Sequence, residues 1–157
     1  MSDAVHIEAA AELDLDTCRR LVLGSEPWIT LGYGEEDVQA TVRAAPTGRI
    51  LIARDGERIV GFALSTPGVL LGEYLKILTV DAAFRGRGVG ARLMAALEAA
   101  AFQRWPNVYL CVTDFNTTAR RFYRRLGYAE IGALPDLLVT GSAEILMRKT
   151  RGPLRPA

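Results

Sequence analysis

The sequence predicts an α/β domain in three layers, with a mixed β-sheet between helices on both of its faces. Strand-like and helix-like segments follow one another in the order β-α-α-β-β-β-α-β-α-β-β, which favours this fold class. A glycine-rich turn also connects a buried-looking strand directly to an amphipathic helix. The chain has 157 residues, half of them apolar, and is therefore long enough to bury one complete hydrophobic core.

The bulk properties predict one domain over residues 1–149 and a flexible tail over residues 150–157. The formal net charge of +1 gives no general attraction to nucleic acid or to an anionic membrane. Apolar runs stay well below the ~18 residues of a membrane span, and the first residues lack the pattern of a secretion signal. Cys18 and Cys111 have neither metal-ligand spacing nor a disulfide pattern. We expect a cytoplasmic protein that binds no metal, no nucleic acid and no membrane.

The first half of the chain reads as a strand, two helices and a hairpin. Asp14 or Asp16 is expected to cap the first helix, which ends at Gly24. Asp55-Gly56 supplies the positive φ that a tight hairpin needs. The other predicted segments are a strand at 5–9, a loop at 26–34, a helix at 35–45, and strands at 50–54 and 58–64.

The second half continues with alternating strands and helices after a loop predicted at residues 66–68. A strand at 75–80 leads into the glycine turn, and a helix at 89–105 crosses over to a parallel strand at 108–113. Asn116 or Thr117 caps a further helix that Gly127 ends. Two last strands are predicted at 128–131 and 143–148.

The glycine-rich turn is an anion site by its position at the start of a helix. The first helical N–H groups have no partner within the helix, and the helix dipole places partial positive charge there. The glycines let oxygen atoms approach the backbone, and two arginines add charge: the turn reads Arg85, Gly86, Arg87, Gly88, Val89, Gly90. A dinucleotide site would need a second mononucleotide half, for which too little chain remains. A P-loop would need a Gly-Lys-Ser/Thr sequence, which does not follow.

Over about residues 5–149 the chain resembles the Gcn5-related N-acetyltransferase (GNAT) superfamily. The acyl-CoA signature of that family is arginine or glutamine, two residues, glycine, one residue, and glycine or alanine; it appears here as Arg85, Gly88 and Gly90. A second block, residues 116–123 running into residues 126–128, is similar to the family's next motif. The two blocks together are far more specific than either one alone.

The resemblance implies an acetyl-CoA-dependent N-acetyltransferase, with acetyl-CoA as the acyl donor. In such a fold the pyrophosphate lies on the amides of residues 87–90, and the peptide-like pantetheine arm runs along the preceding strand, here at Leu78 and Val80. The Asn116 side chain would meet the arm from the other side, and a role as helix cap alone is the alternative. The residues expected to bind the donor are Leu78, Val80, Arg85, Gly86, Arg87, Gly88, Val89, Gly90 and Asn116.

Two residues are candidates for the chemistry that the resemblance implies. Tyr123 occupies the position of a tyrosine that protonates the departing thiolate, and core packing in an apolar helical stripe is the alternative. A lysine-like acceptor has a pKa of ~10.4 and must lose a proton before it attacks. Glu73 is the leading candidate for that base, and a solvated glutamate at a strand end is the alternative. Direct attack in a ternary complex is expected, because neither cysteine resembles a nucleophile.

The acceptor side is expected between the first two helices, where Trp28 and Tyr33 are candidates for a pocket wall. A place in the core is the alternative for Trp28. The acceptor is a small-molecule or peptide amine, and homodimers are common among proteins of this family. A catalytically silent acyl-CoA-binding module is the alternative from another class. The arginines 120, 121, 124 and 125 read as a solvated face, and nucleic-acid binding is disfavoured because no aromatic platform alternates with them.

Overall fold

A seven-stranded sheet forms the centre of the protein, whose computed structural model describes residues 5–43 and 49–157. The strand order is β1-β2-β3-β4-β5-β7-β6. Neighbouring strands are antiparallel except β4 and β5, which are parallel as predicted. The strands are β1 (Val5–Ala9), β2 (Ile50–Asp55), β3 (Arg58–Val69), β4 (Gly72–Val80), β5 (Asn107–Thr113), β6 (Ala129–Pro135) and β7 (Ala143–Thr150).

The helices follow the predicted order and complete a three-layer fold. They are α1 (Leu15–Leu23), α2 (Glu35–Arg43), α3 (Val89–Ala101) and α4 (Thr117–Arg125), and short 3₁₀ turns occur at Glu12–Asp14 and Ala82–Phe84. The predicted end of the second helix, at residue 45, lies outside the described residues. The fold class and the order of the elements are therefore confirmed.

Each face of the sheet has its own core. One core lies under α3 and α4 and includes Leu93, Leu97 and Val112. The other lies under α1 and α2 and includes Val22, Val38 and Ile77. Because alternate residues of a strand face opposite layers, one sheet supplies side chains to both cores.

Asp14 stands at the N-cap position of α1, but its side chain makes no cap hydrogen bond. Its Oδ2 accepts from the Ala11 N–H at 2.9 Å, and its Oδ1 accepts from Arg54 at 3.0 Å. Burial acts to raise the pKa of Asp14, yet these two donors outweigh it and hold the pKa below its usual value. Asp14 therefore ties the start of α1 to β2 rather than capping the helix.

The predicted loop at residues 66–68 is wrong, because β3 continues through it to Val69. A bulge between Pro67 and Val69 accommodates Gly68, whose φ is 82°. The chain reverses instead at Leu70 and Leu71, which have φ values of 47° and 58°. Nothing in the local sequence marks these two leucines as a turn.

Two further boundaries differ from the predictions. Helix α3 ends at Ala101 rather than at residue 105, and the chain then forms turns in which Trp105 N–H donates to the Ala101 carbonyl. Strand β7 runs to Thr150 rather than to residue 148, and Arg151 N–H donates to the Pro106 carbonyl at 2.8 Å. The Arg151 guanidinium also lies 4.8 Å from the centre of the Phe102 ring.

Candidate active site

The two central parallel strands pair over only part of their length. The β4–β5 ladder joins residues 72–75 to residues 107–110, and both strands then continue without pairing to each other. In the β3–β4 ladder, Ile77 and Leu75 face consecutive residues of β3, so Lys76 is an extra residue in β4. The bulge and the end of the parallel ladder open the sheet at this point.

A cavity of about 1050 Å³ lies at the split. The turn before α3 and one side of α4 line it from one layer of the fold. The segment before α2, residues 26–31, lines it from the other layer. The cavity therefore connects the two faces of the sheet through the gap between β4 and β5.

The glycine turn borders this cavity and leaves its backbone open. Gly86 and Gly88 have φ values of 72° and 78°, in the left-handed region that favours glycine. Gly88 is the N-cap of α3. Flanking residues apart, no atom of the described chain comes within 4 Å of where a Cβ on either glycine would lie. The space in front of the N-terminus of α3 is thus free for an anionic ligand.

Glycine is needed at position 90 for a different structural reason. A Cβ at this position would lie 3.3 Å from Cζ of Phe122, which belongs to α4. Such a contact is tighter than ordinary packing, so glycine allows α3 and α4 to approach closely. The last glycine of the motif therefore positions α4 relative to the turn.

The two arginines of the turn contact its immediate neighbours. Arg85 Nε donates to the Val80 carbonyl at 3.1 Å. The Arg87 guanidinium lies 5.2 Å from the centre of the Phe84 ring, and Arg58 lies 5.4 Å from the same ring. Both arginines of the turn are exposed, so their charged groups remain accessible from solvent.

Helix α4 brings the residues of the second motif to the cavity. Asn116 caps the helix, its Oδ1 accepting from the Ala119 N–H at 3.2 Å, and it also lines the cavity. Tyr123 lines the cavity with only 8% of its surface exposed, and burial raises the pKa of its hydroxyl above the usual value. Its ring packs edge-on against Phe122 and Tyr128 at centroid distances of 5.0 and 5.8 Å. Tyr123 therefore packs in the core and also borders the cavity.

The predicted acceptor residues form a contact pair. Trp28 and Tyr33 meet edge to face with ring centroids 5.1 Å apart, and both pack on the core under α1 and α2. Trp28 lines the cavity, whereas Tyr33 lies behind it, outside the lining. Trp28 is therefore part of both the core and the cavity wall.

Glu73 lies away from the cavity, in the closed part of the sheet where β4 and β5 pair. Only 2% of its surface is exposed. Its Oε1 accepts from the Ser65 hydroxyl at 2.7 Å and from Arg49 at 3.4 Å. Glu73 is neither a solvated strand-end residue nor one of the residues at the split.

A different carboxylate, that of Glu144, lines the cavity. It lies on β7 directly opposite Thr113 of β5 and is 5% exposed. Sequence analysis missed it because β7 is far along the chain from both motifs. The available signal was one charged residue within the otherwise apolar run Ala143, Ile145, Leu146, Met147.

The two thiols are poor nucleophiles in their surroundings. Burial, helped by the nearby Asp14 carboxylate, raises the pKa of Cys18 to about 12. Burial also raises the pKa of Cys111, which lines the cavity, and the nearby Tyr74 hydroxyl only partly offsets this effect. Both thiols therefore stay protonated near neutral pH.

Within residues 5–43 and 49–157, no group of three or more His, Cys, Asp or Glu side chains is arranged to hold a metal ion. The helices of that same part of the chain are all too short or too polar to cross a membrane.

The four arginines of α4 differ in their surroundings. Arg120 and Arg124 pair with Glu130 at 2.9 and 2.6 Å, and Arg125 lines the cavity.

Comparisons with known proteins agree with this geometry. A profile of the acetyltransferase (GNAT) family matches residues 10–128. The N-alpha-acetyltransferase RimI of Mycobacterium tuberculosis is 30% identical over 159 aligned positions, which cover 96% of each chain. Among solved structures, Ard1 of Thermoplasma volcanium superposes with a TM-score of 0.81 at 22% identity, over 96% of this chain and 99% of that one. An aminoglycoside 6'-N-acetyltransferase complexed with coenzyme A gives a TM-score of 0.78 at 23% identity, over 97% and 99%.

The chain belongs to the acetyltransferase (GNAT) family. Both the family match over residues 10–128 and the relative aligned over 96% of the chain support this assignment. The protein is an N-acetyltransferase.

Proposed function

We propose that the protein transfers the acetyl group of acetyl-CoA to a primary amine by direct attack within a ternary complex. One observation carries the proposal: a single cavity joins the open turn before α3, the split in the sheet, and the segment before α2. A donor entering from one layer and an acceptor entering from the other would meet between β4 and β5.

The donor side has the chemistry that a nucleotide thioester needs. The N-terminus of α3 and the exposed arginines Arg85 and Arg87 favour the pyrophosphate, and Gly88 leaves room for it. Leu78 and Val80 line the cavity on the part of β4 that is unpaired with β5, where the pantetheine arm would run. The full set assigned to the donor is Leu78, Val80, Arg85, Gly86, Arg87, Gly88, Val89, Gly90 and Asn116, with Arg125 as a candidate for the 3′-phosphate.

Tyr123 is assigned as the proton donor to the departing thiolate. Its burial keeps the phenol protonated, which is the form that this role requires. A thiol has a pKa of ~8.5, so the thiolate also leaves at a lower rate without a donor. Tyr123 is therefore expected to accelerate the reaction without being indispensable.

The acceptor is assigned as a primary amine on a small molecule or a peptide. The full-length relative from M. tuberculosis is an N-alpha-acetyltransferase, which favours the α-amine of a peptide as the first substrate to test. Trp28 is assigned to the acceptor wall, supported from behind by Tyr33.

The test is release of the coenzyme A thiol, measured over a panel of amines. The panel holds peptides with a free N-terminus, the same peptides blocked at the N-terminus, polyamines and aminoglycosides, together with a no-acceptor control. We expect release that depends on the acceptor and an acetylated product that mass spectrometry locates on the amine.

A catalytically silent acyl-CoA-binding module gives a different result. It would bind acetyl-CoA, measured by calorimetry, and release no thiol above the no-acceptor rate with any amine. That combination would contradict the proposed acetyl transfer and support only acetyl-CoA binding.

A further inference from the structure

The carboxylate of Glu144 is built into the acceptor side of the cavity. Ile145, the next residue of β7, packs against the core under α3 and α4, and Met147, two residues further on, belongs to that core. Alternation along β7 then places Glu144 on the opposite face, toward α1 and α2. The influence of Glu144 on the pKa of Tyr33, which precedes α2, agrees with this placement.

The position of Glu144 is held on both sides. Thr113 is its partner in the β5–β7 ladder, which sets the position of Glu144 along the sheet. Asp114 N–H donates to the Ala143 carbonyl at 2.8 Å, and Asp114 Oδ2 accepts from Ala143 N–H at 3.1 Å. These contacts fix the first residues of β7 at the edge of the split.

The groups around Glu144 do not neutralise it. Burial acts most strongly to raise its pKa, the nearby Thr113 hydroxyl acts to lower it, and Asp114 acts to raise it; the net pKa is raised. The other groups that sense its charge are Tyr33, Tyr74 and Cys111, all neutral at pH 7. Glu144 belongs to none of the ion pairs within residues 5–43 and 49–157.

A buried carboxylate without a cationic partner favours a cation brought by a ligand. Two other titratable side chains of the lining, Glu26 and Lys76, come from the segment before α2 and from the bulge of β4. Glu26 is exposed and its Oε2 accepts from the Thr30 N–H at 3.2 Å. Glu144 is thus the buried carboxylate of the lining.

We propose that Glu144 binds the ammonium group of the acceptor and takes its proton. This inference rests on the proposed acetyl transfer and replaces Glu73, which lies outside the cavity, as the base. The acceptor that fits is a cationic primary amine entering past Trp28.

The proton balance of the step is simple. The N–H bond of the ammonium breaks and its proton moves to Glu144, which leaves the nitrogen lone pair free. That nitrogen forms the bond to the acetyl carbon, and the C–S bond breaks with its electron pair going to sulfur. The nitrogen loses a second proton after the attack, and this loss balances the proton that the thiolate gains. The net reaction therefore releases one proton, which passes from Glu144 to solvent.

The experiment compares Glu144→Gln with two matched Glu→Gln variants in the full chain. Glu26→Gln removes the exposed carboxylate of the same cavity, and Glu12→Gln removes an exposed carboxylate outside the lining. With an accepted amine from the panel, kcat/KM of Glu144→Gln should fall about 100-fold or more. Glu12→Gln should keep the wild-type value, and the acetyl-CoA Kd of Glu144→Gln should stay within about twofold of wild type, since the proposal leaves Glu144 out of the donor site.

A pH profile and a melting curve separate a base from a structural residue. The wild type needs ionised Glu144, so its rate should fall as the pH drops through the raised pKa of that group. The variant depends on free amine from solution, so its rate should rise about tenfold per pH unit up to the acceptor pKa. A raised pKa means that the ionised form destabilises the fold above that pKa, so Glu144→Gln should melt at or above the wild-type temperature at pH 7.

Four results would overturn the inference. If the wild type turns over and Glu144→Gln keeps a rate within threefold of it with the same pH profile, Glu144 is not the base, although acetyl transfer itself is supported. An equal loss in Glu26→Gln, or a loss in Glu144→Gln explained by a lower melting temperature, would do the same. No wild-type turnover with any amine would instead overturn the proposed function, and this inference with it.

Discussion

Gly88 and Gly90 stand two positions apart in one motif, and their surroundings require glycine for different reasons. Gly88 has a φ of 78° and open space where a side chain would begin, whereas Gly90 packs against Phe122. A change at Gly88 therefore tests the anion site with little disturbance of the helix packing. A change at Gly90 would alter the helix packing as well as the anion site, so the two effects could not be separated.

The matched variants Gly88→Asp and Gly88→Asn isolate the effect of a negative charge at the start of α3 on acetyl-CoA binding. Both residues tolerate the left-handed region better than most, and they have nearly the same shape. We expect Gly88→Asp to weaken acetyl-CoA binding at least about tenfold relative to Gly88→Asn, about 1.4 kcal/mol, because a carboxylate repels the pyrophosphate. Calorimetric titration measures both. Equal affinities in the two variants would contradict an anion site at this turn.

Tyr123 and Tyr128 form a second informative pair. Tyr123→Phe should lower kcat about tenfold to a hundredfold and leave the KM for acetyl-CoA unchanged, because it removes only the proton donor. Tyr128 donates to Glu98 Oε1 at 2.9 Å, outside the cavity lining. Tyr128→Phe should instead reduce the free energy of unfolding by about 1–2 kcal/mol and keep kcat. An unchanged kcat in Tyr123→Phe would mean that Tyr123 serves only in core packing.

At the scale of the elements, the β3–β4 hairpin contains backbone strain that substitution can relieve. Leu70 and Leu71 link the paired residues Val69 and Gly72, and both leucines have positive φ. Tyr109 and Asn107 side chains bond to the carbonyls of these leucines at 3.2 Å each, which holds the turn in place. Main-chain contacts of this kind survive a change of side chain.

The double variant Leu70→Asn, Leu71→Gly should therefore stabilise the protein. Asn-Gly suits a two-residue hairpin with positive φ at both positions, and each leucine costs about 1 kcal/mol there. We expect a gain of about 1–2 kcal/mol in the free energy of unfolding, measured by urea titration, with unchanged kcat. A loss of stability would mean that the exposed leucine side chains contribute contacts that outweigh the strain.

At the scale of the whole molecule, the split divides the sheet into two parts. Strands β1–β4 lie on one side and β5, β7 and β6 on the other, and within the sheet they are joined by the short ladder between residues 72–75 and 107–110. The main helix α3 contacts strands on both sides. A donor that lies between β4 and β5 would add a third connection.

Acetyl-CoA should therefore raise the melting temperature of the whole domain. At 100 times the Kd the stabilisation is about 2.7 kcal/mol, which corresponds to about 5–10 °C for a domain of this size. Differential scanning calorimetry measures the shift, and Gly88→Asp serves as the control in which the shift should be much smaller. An equal shift in that variant would place the donor elsewhere.

The sequence was sufficient for features that depend on neighbouring residues. The order of strands and helices, the parallel β4–β5 pair and the turn from Arg85 to Gly90 were all predictable, because periodicity, caps and glycines act locally. Boundaries were less predictable. Pro67 and Gly68 read as a loop, yet pairing with β4 carries the strand through them.

The position of the acidic group at the split was decided by the tertiary structure alone. Glu73 lies on β4, the strand that leads to the glycine turn, but the β4–β5 pairing encloses it, whereas Glu144 reaches the open end because β7 pairs with β5. Local pattern specifies which residues form a strand, and only strand pairing specifies where along the sheet a side chain lies and what it faces. The sequence by itself thus determined the family, the fold and the glycine turn before α3, and the tertiary structure decided which carboxylate lies at the split.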